Sequence, residues 1–374
     1  MNSTAMDSRR RLVTCVRDEG MSLSQAAREF GVTRPTARKW LERAALVGVD
    51  GIREGSRAPK SVPGRTSAPV EAFLLAMKAR FPEWGARKLC PLLLEEHGAS
   101  LPERTADHIL RRHGLTVPRP VKDEEAVRFE RESCGALLQM DFKGTPRSMK
   151  YSVLTVLDDH SRFCLAFEPV PDKSGASVKA CLWEVFGRHG LPDSMLMDNG
   201  EPWGFHHKRC PTKFEAWLML LGVKPTHGRA YHPQTQGKVE RFHRTAKLEL
   251  GARFLSPSMD EARPLYREFV DRYNWVRPHD SLGGKTPGTR YATFPRPRPD
   301  TMPGHFIPEG ALTRKVDGNG IFGYKGSVFH MGQGLIGQTI VLAEDELGLR
   351  VFFAGFPLTY MSELEPIRNS YGKP

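Results

Sequence analysis

ALLQMDFKG (136–144) and YSVLTVLDDHSRFCLAFEPV (151–170) are the stretches whose reading decides the fold. Both are apolar runs rich in Val and Leu, punctuated by Asp158-Asp159-His160-Ser161-Arg162, and they predict a buried strand followed by a hairpin. Downstream, SGASVKACLWEVFGRHG (174–190) predicts a helix, and LPDSMLMDNG (191–200) a short strand ending in an acidic turn. KFEAWLMLLGV (213–223) reads as a helix, and QTQGKVERFHRTAKLEL (234–250) as an amphipathic helix after the polar loop HGRAYHPQTQG. Strands followed by helices, with carboxylates at strand ends, predict an α/β layer with a site at one edge.

Three carboxylates stand out in this block. Asp141 lies inside an apolar strand, Asp198 at a strand end before Asn199-Gly200, and Glu240 in a helix otherwise lined with basic residues. An acid in each position costs desolvation or repulsion unless positive charge compensates it. A divalent cation does so: hard oxygen ligands suit Mg²⁺ or Mn²⁺, and two ions about 3.5–4 Å apart activate a nucleophile and stabilise the leaving oxygen at a phosphodiester. Arg244 and Lys247, at i+4 and i+7 from Glu240, would offer positive charge to DNA phosphates on that side. The bland alternative is a routine Glu240–Arg244 pair worth about 0.5 kcal/mol or less. Singly each acid is more often structural; together and in order they favour catalysis. Asp158 and Asp159 are explained by turn chemistry. His206, His207 and Cys210 hint at zinc, but no second ligand pair is spaced to complete a tetrahedral site.

Outward from this block, the charge is uneven. The 374 residues carry 55 Lys+Arg against 43 Asp+Glu, a formal +12. Residues 1–120 hold +8 of it, residues 121–255 hold +3 and residues 256–374 hold +1. A concentrated basic excess is the footprint of a nucleic-acid-binding module. The run SLSQAAREFGVTRPTARKWLERA (22–44) fits a helix-turn-helix: Gly31 makes the turn, Thr33 caps the next helix and Pro35 is tolerated in its first turn. Arg34, Thr36, Arg38 and Lys39 then lie on or near the groove-facing helix; a plain helical pair with a solvated basic face is the alternative. Residues 69–114 repeat the logic with helices over 69–80, 86–97 and 102–113, the last carrying Arg104, Arg111 and Arg112. That segment reads either as a second DNA-binding module or as a packing domain for the catalytic block.

The length predicts two to four domains. Gly, Pro and Ser density marks breaks at residues 48–68, 116–132 and 283–304, leaving blocks at 1–47, 69–115, 133–290 and 305–368. In the last block, short Val/Ile/Phe-rich segments between Gly turns predict about five strands forming a small barrel. Arg314, Lys315 and Lys325 there are candidates for contact with DNA or a second protomer, or are structural. No run approaches the roughly 20 apolar residues of a membrane span, and MNSTAMDSRRRLV puts arginines where a signal peptide needs apolar residues. Six scattered cysteines without a CxxC pair fit reduced thiols in a cytosol.

QMDFKG, LMDNG and YHPQTQGKVERFHRTAK, in this order and followed by RYNWVRPHDSLGGKTP, closely resemble the DDE integrase-core transposases of bacterial insertion sequences, relatives of retroviral integrases. The resemblance covers roughly residues 133–290, and the N-terminal helix-turn-helix in architecture. It implies a multidomain chain: all-α helix-turn-helix modules, an α/β RNase H-like catalytic core and a small all-β SH3-like barrel. Carried over by position, Asp141, Asp198 and Glu240 match the family's metal-binding carboxylates. The interval from Asp198 to Glu240 is longer than in many relatives, with the surplus in PWGFHHKRCPTK (202–213). His232, Gln234, Lys238 and Arg241 match positions that in such enzymes lie near the DNA end.

The resemblance further implies two Mg²⁺ ions, with Mn²⁺ as a substitute, double-stranded DNA of element ends and target as partner, a homo-oligomer on paired ends, and a cytoplasmic, nucleoid-associated protein. The implied activity is binding of terminal inverted repeats, strand cleavage and strand transfer. The competing readings are a non-enzymatic helix-turn-helix regulator or inactive copy, and an RNase H-like nuclease that cuts without joining.

Overall fold

The computed structural model describes residues 3–50, 52, 64–116, 130–144, 149–200, 203, 210–228, 237–256 and 258–367. The chain divides into two compact units, Met1–Thr66 and Ser67–Pro374.

The first unit holds three helices, α1 (Ser3–Arg17), α2 (Leu23–Glu29) and α3 (Arg34–Val47). The turn into α3 is built as the sequence predicts, and a second cap starts α2. Ser22 accepts the Gln25 N–H to start α2, Gly31 takes a left-handed φ of 64° that a side chain would strain, and Thr33 accepts the Thr36 N–H to start α3. Leu12, Val13, Ala26, Ala27, Ala37 and Ala44 form a core of mostly small side chains, so the helices approach closely.

The second unit begins with α4 (Ala68–Arg80), α5 (Ala86–His97) and α6 (Glu103–Arg112), packed around Leu74, Trp84, Leu89, Leu93 and Leu110. A mixed five-stranded sheet follows, with β1 (Leu138–Lys143), β2 (Ser152–Asp158), β3 (Cys164–Val170), β4 (Ser194–Met197) and β5 (Lys224–His227) in the order β3-β2-β1-β4-β5. β1 runs antiparallel to β2 and parallel to β4, and β4 is parallel to β5. Helices α7 (Gly175–His189) and α8 (Lys213–Leu220) cover one face through Leu138, Met140, Val178, Leu182, Phe186 and Leu218. Helices α9 (Gly237–Leu250) and α10 (Met259–Trp275) cover the other through Val153, Leu157, Phe167, Val239, Phe242 and Phe269. β5 was not anticipated: Lys-Pro-Thr-His has neither alternation nor β-branched density, and it forms at the sheet edge, where Pro is tolerated.

The first helical module of this unit is fastened to the core. Trp84 Nε1 donates to Glu249 Oε1 at 2.9 Å, and Arg277 Nε donates to the same oxygen at 2.9 Å, so the last turn of α9 links the segment just after α10 to the α4–α5 turn. The Gly- and Pro-dense segment 283–304 also lies on the core, where Phe294 is buried and Arg296 donates to the Gly222 carbonyl.

The C-terminal part is all-β, with β6 (Leu312–Lys315), β7 (Ile321–Tyr324), β8 (Ser327–His330), β9 (Thr339–Asp345), β10 (Gly348–Phe353) and β11 (Phe356–Tyr360). These six strands form a four-stranded sheet, β11-β10-β9-β6, and a separate β7-β8 hairpin. The expected barrel is therefore corrected: among the described residues the ladder ends at β6 and β11 and does not close. Phe322, Phe329 and Met331 from the hairpin region, with Ala216 and Met219 of α8, cover Ile340, Leu342, Val351 and Phe353. The apolar face is buried without closure. Cys15, Cys90, Cys134, Cys164 and Cys181 are free thiols, and among the described residues no helix is long and apolar enough to cross a membrane.

Candidate active site

Alternation along β1 places Leu138, Met140 and Phe142 toward α7 and α8, and Gln139, Asp141 and Lys143 toward α9. Asp141 pairs with Thr155 across β2. Thr155 is fully buried and its hydroxyl lies 2.7 Å from His243 Nε2 on α9. The other ring nitrogen, Nδ1, sits 3.9 Å from Asp141 Oδ2. Burial, with Lys143 adding to it, pushes His243 down to about 3, so the ring is neutral and that contact is no ion pair. The Asp141 carboxyl is itself pushed up to about 6, first by burial and then by Asp198, with Glu240 adding to the repulsion.

Asp198 follows the last residue of β4 and caps its own turn, accepting the Gly200 N–H at 3.1 Å. Its carbonyl accepts from His227 Nδ1 at 2.8 Å, while His227 Nε2 lies 2.8 Å from Glu215 Oε1. Burial opposes both charges of that pair, yet their bond holds Glu215 below the usual carboxylate range and His227 above the usual imidazole range. Glu215 also completes the capping box of α8 with Thr212, so one carboxylate orients both the helix start and the strand end bearing Asp198.

Glu240 is exposed in the first turn of α9. Arg241, Arg244 and Lys247 are exposed on the same helix, and Lys247 depresses the Lys143 ammonium beyond what burial does. Lys143 is thus near enough to feel both the repulsion of Lys247 and the attraction of Asp141. Lys238 is turned inward: its ammonium rests on the carboxylate of Asp159 and, at 3.0 Å, donates to the Asp159 carbonyl. Asp158 and Asp159 are spent on structure. Asp158 accepts from Gly135 N and from Ser161, and Asp159 from Arg131 N and Gln139. His232 and Gln234 lie outside the described residues, as do His206 and His207.

Sequence reasoning missed Lys143, Glu215, His227 and His243 as parts of this site. The first was findable, since it shares the Asp141 face of β1 at i+2. The others are brought in by contacts distant in sequence.

The three acids come from β1, the end of β4 and α9, and each adds to the negative potential at one place. Among the described residues no three His, Cys, Asp or Glu side chains converge as a closed ligand set. The donor chemistry nevertheless fits a divalent cation: hard oxygens only, with one carboxyl raised by burial and then by two others, penalties that bound positive charge relieves.

In the first unit, Arg34, Arg38 and Lys39 are exposed on α3, while the Thr36 hydroxyl bonds to Thr33 Oγ1 at 2.8 Å. On α6 Arg104 is exposed, Arg111 pairs with Asp107 and Arg112 with Glu71. Arg314 donates to the Gly323 carbonyl, Lys315 is exposed, and Lys325 lies over the Tyr324 ring.

Two integrase core domain models match residues 132–233 and 221–287. A helix-turn-helix domain model matches residues 8–60, and a homeodomain-like model residues 36–110. A protein of Geobacillus stearothermophilus named as a transposase for insertion sequence element IS5376 is 24% identical over 370 residues, covering 94% of this chain and 86% of its own. An insertion element IS476 protein of 39.2 kDa from Xanthomonas euvesicatoria is 21% identical over 282 residues, covering 74% of this chain and 80% of its own. Among solved structures, the catalytic core domain of BIV integrase is similar at 26% identity and a TM-score of 0.33, covering 41% of this chain and 92% of its own.

Proposed function

We propose, from the premise that the chain belongs to the integrase-core transposases carrying helix-turn-helix segments, that it binds the terminal inverted repeats of an insertion sequence and cuts and rejoins DNA strands there. The observation that carries this reading is that Asp141 on β1 and Asp198 just past the end of β4 lie on adjacent parallel strands, with Glu240 in the first turn of α9 near enough to repel Asp141. Asp141 and Asp198 would share two Mg²⁺ or Mn²⁺ ions and Glu240 would complete one site. Bound there, the ions supply a lowered pKa for the attacking hydroxyl and charge stabilisation at the leaving oxygen.

The protein's own groups do the rest. Lys143 and Lys247 hold the phosphate beside the carboxylates, and Arg241 and Arg244 extend that positive surface along α9. Neutral His243, held by Thr155, stands beside Asp141 without adding positive charge there. Water attacks first and frees a 3′-hydroxyl at the element end. That hydroxyl then attacks target DNA, in line, with no covalent protein–DNA intermediate. Arg34, Arg38 and Lys39 would engage the repeat, and two ends would be paired within a homo-oligomer.

The test is purified protein with labelled DNA from the ends of its own locus and Mg²⁺ or Mn²⁺, beside Glu240→Gln. Nicked ends and joined strands should form with the wild type and vanish in the variant while end binding survives. Binding without cleavage by the wild type, once a paired-end complex has formed, would instead identify a DNA-binding regulator or an inactive copy.

A further inference from the structure

The residue two before Asp141 and the residue two before Glu240 meet on a single buried side chain. Gln139 Nε2 donates to Asp159 Oδ1 at 2.8 Å, and the Lys238 ammonium rests on the same oxygen and donates to the Asp159 carbonyl at 3.0 Å. Arg131 N donates to Oδ2 at 2.8 Å. Asp159 is fully buried and Gln139 is 1% exposed.

The two offsets work differently. On a strand, residues i and i+2 share a face, so Gln139 anchors β1 on the side where Asp141 points. On a helix they diverge by about 200°, so Lys238 can pin the first turn of α9 to Asp159 while Glu240 points elsewhere. The platform is stiff: Arg162, at a left-handed φ of 64°, donates to the Asp159 carbonyl at 2.9 Å, and Ser161 is bonded to Asp158. Gln139 also leaves its own Oε1 buried without a hydrogen bond among the described residues. An apolar side chain would fill that space without such a cost, so the amide is there for its bond to Asp159.

We propose that Asp159 is a positioning residue that fixes the separation between the Asp141 strand and the Glu240 helix, through Gln139 on one side and Lys238 on the other. This rests on the reading of Asp141, Asp198 and Glu240 as metal ligands. Groups bonded directly to a ligand typically cost about 10–100-fold in metal affinity when removed; Asp159 acts one link further out, through Gln139 and Lys238, so the lower end of that range is its upper bound.

The experiment uses the full chain and follows free Mn²⁺ by electron paramagnetic resonance during titration, with circular dichroism confirming the fold. Asp159→Asn and Lys238→Met should each weaken Mn²⁺ binding several-fold, up to about 10-fold, the lower end for a group bonded directly to a ligand. The double variant should be no worse than the weaker single, because both break one link, and Lys238→Arg should restore part of the loss. DNA-end binding without metal should stay within about twofold, since the exposed cations proposed to meet DNA, Arg34, Arg38, Lys39, Arg241 and Arg244, are untouched and the Lys238 ammonium is already held by Asp159. Lys238→Gln, at the partly exposed end of the pair, carries the test alone if Asp159→Asn does not fold. Folded variants that bind Mn²⁺ as the wild type does, while Glu240→Gln does not, would overturn the positioning role and leave the triad standing. Wild-type Mn²⁺ binding by Glu240→Gln would overturn the triad itself.

Discussion

The two faces of β1 are made from alternate residues of one hexapeptide and behave as different materials. Leu138, Met140 and Phe142 face α7 and α8, where burial alone stabilises them. Gln139, Asp141 and Lys143 face α9, where each carries a group that burial penalises and a neighbour must offset. Gln139 has Asp159, while Asp141 and Lys143 each keep a like charge beside them and an ionisation displaced from its usual range. The first face is satisfied as it stands, and the second is completed by what binds to it.

The largest break of this comparison is Asp141→Asn. Strand cleavage and joining should fall by on the order of 10³-fold, while urea unfolding should show equal or greater stability, because a half-buried, repelled carboxylate has been neutralised. Destabilisation as large as that of a core truncation would erase the difference between the faces.

Met140→Ala is the converse. It should cost about 2–5 kcal/mol in unfolding free energy by leaving a cavity in a fully buried cluster, and the fraction that stays folded should cleave normally. A folded variant without activity would show that the apolar face also shapes the chemistry.

A smaller effect sharpens the comparison through pH. His189, at the end of α7 on the apolar side, is pushed down to about 4 by burial, with Arg188 adding repulsion, and its Nδ1 lies 2.7 Å from the Tyr291 hydroxyl. The unfolded chain binds a proton at this ring near 6.5, so between 6.5 and about 4 protons favour unfolding and stability falls as pH falls. Urea unfolding at pH 7 and pH 5 should show a shallower decline for His189→Asn, by up to about one proton. An unchanged decline would assign the acid sensitivity to other groups.

Much of this was legible in the sequence because it is local. The hairpin of β2 and β3, helices α4 to α6, the left-handed Gly31 and the Thr33 cap all follow from periodicity and turn chemistry within a few residues. The order Asp141, Asp198, Glu240 was legible as a family pattern. β5 was not, since its polar residues form a strand only because β4 offers an open edge. The C-terminal strands were legible, but that they stay an open sheet and a hairpin instead of the expected barrel was not, because closure depends on what else covers the apolar face. Lys238 reads in sequence as a cation beside the DNA, yet its ammonium is folded onto Asp159.

The sequence by itself determined which residues are acids in apolar surroundings, where helices begin and which segments carry the basic excess. Those properties are set by side-chain chemistry and by backbone preferences of near neighbours. Only the tertiary structure decided which partner each polar group found: His227 with Glu215, His243 with Thr155, and Gln139 and Lys238 with Asp159. The physical reason is that a buried polar group must be satisfied by whatever the packing of distant segments brings within about 3 Å, and one-dimensional spacing holds no record of that distance.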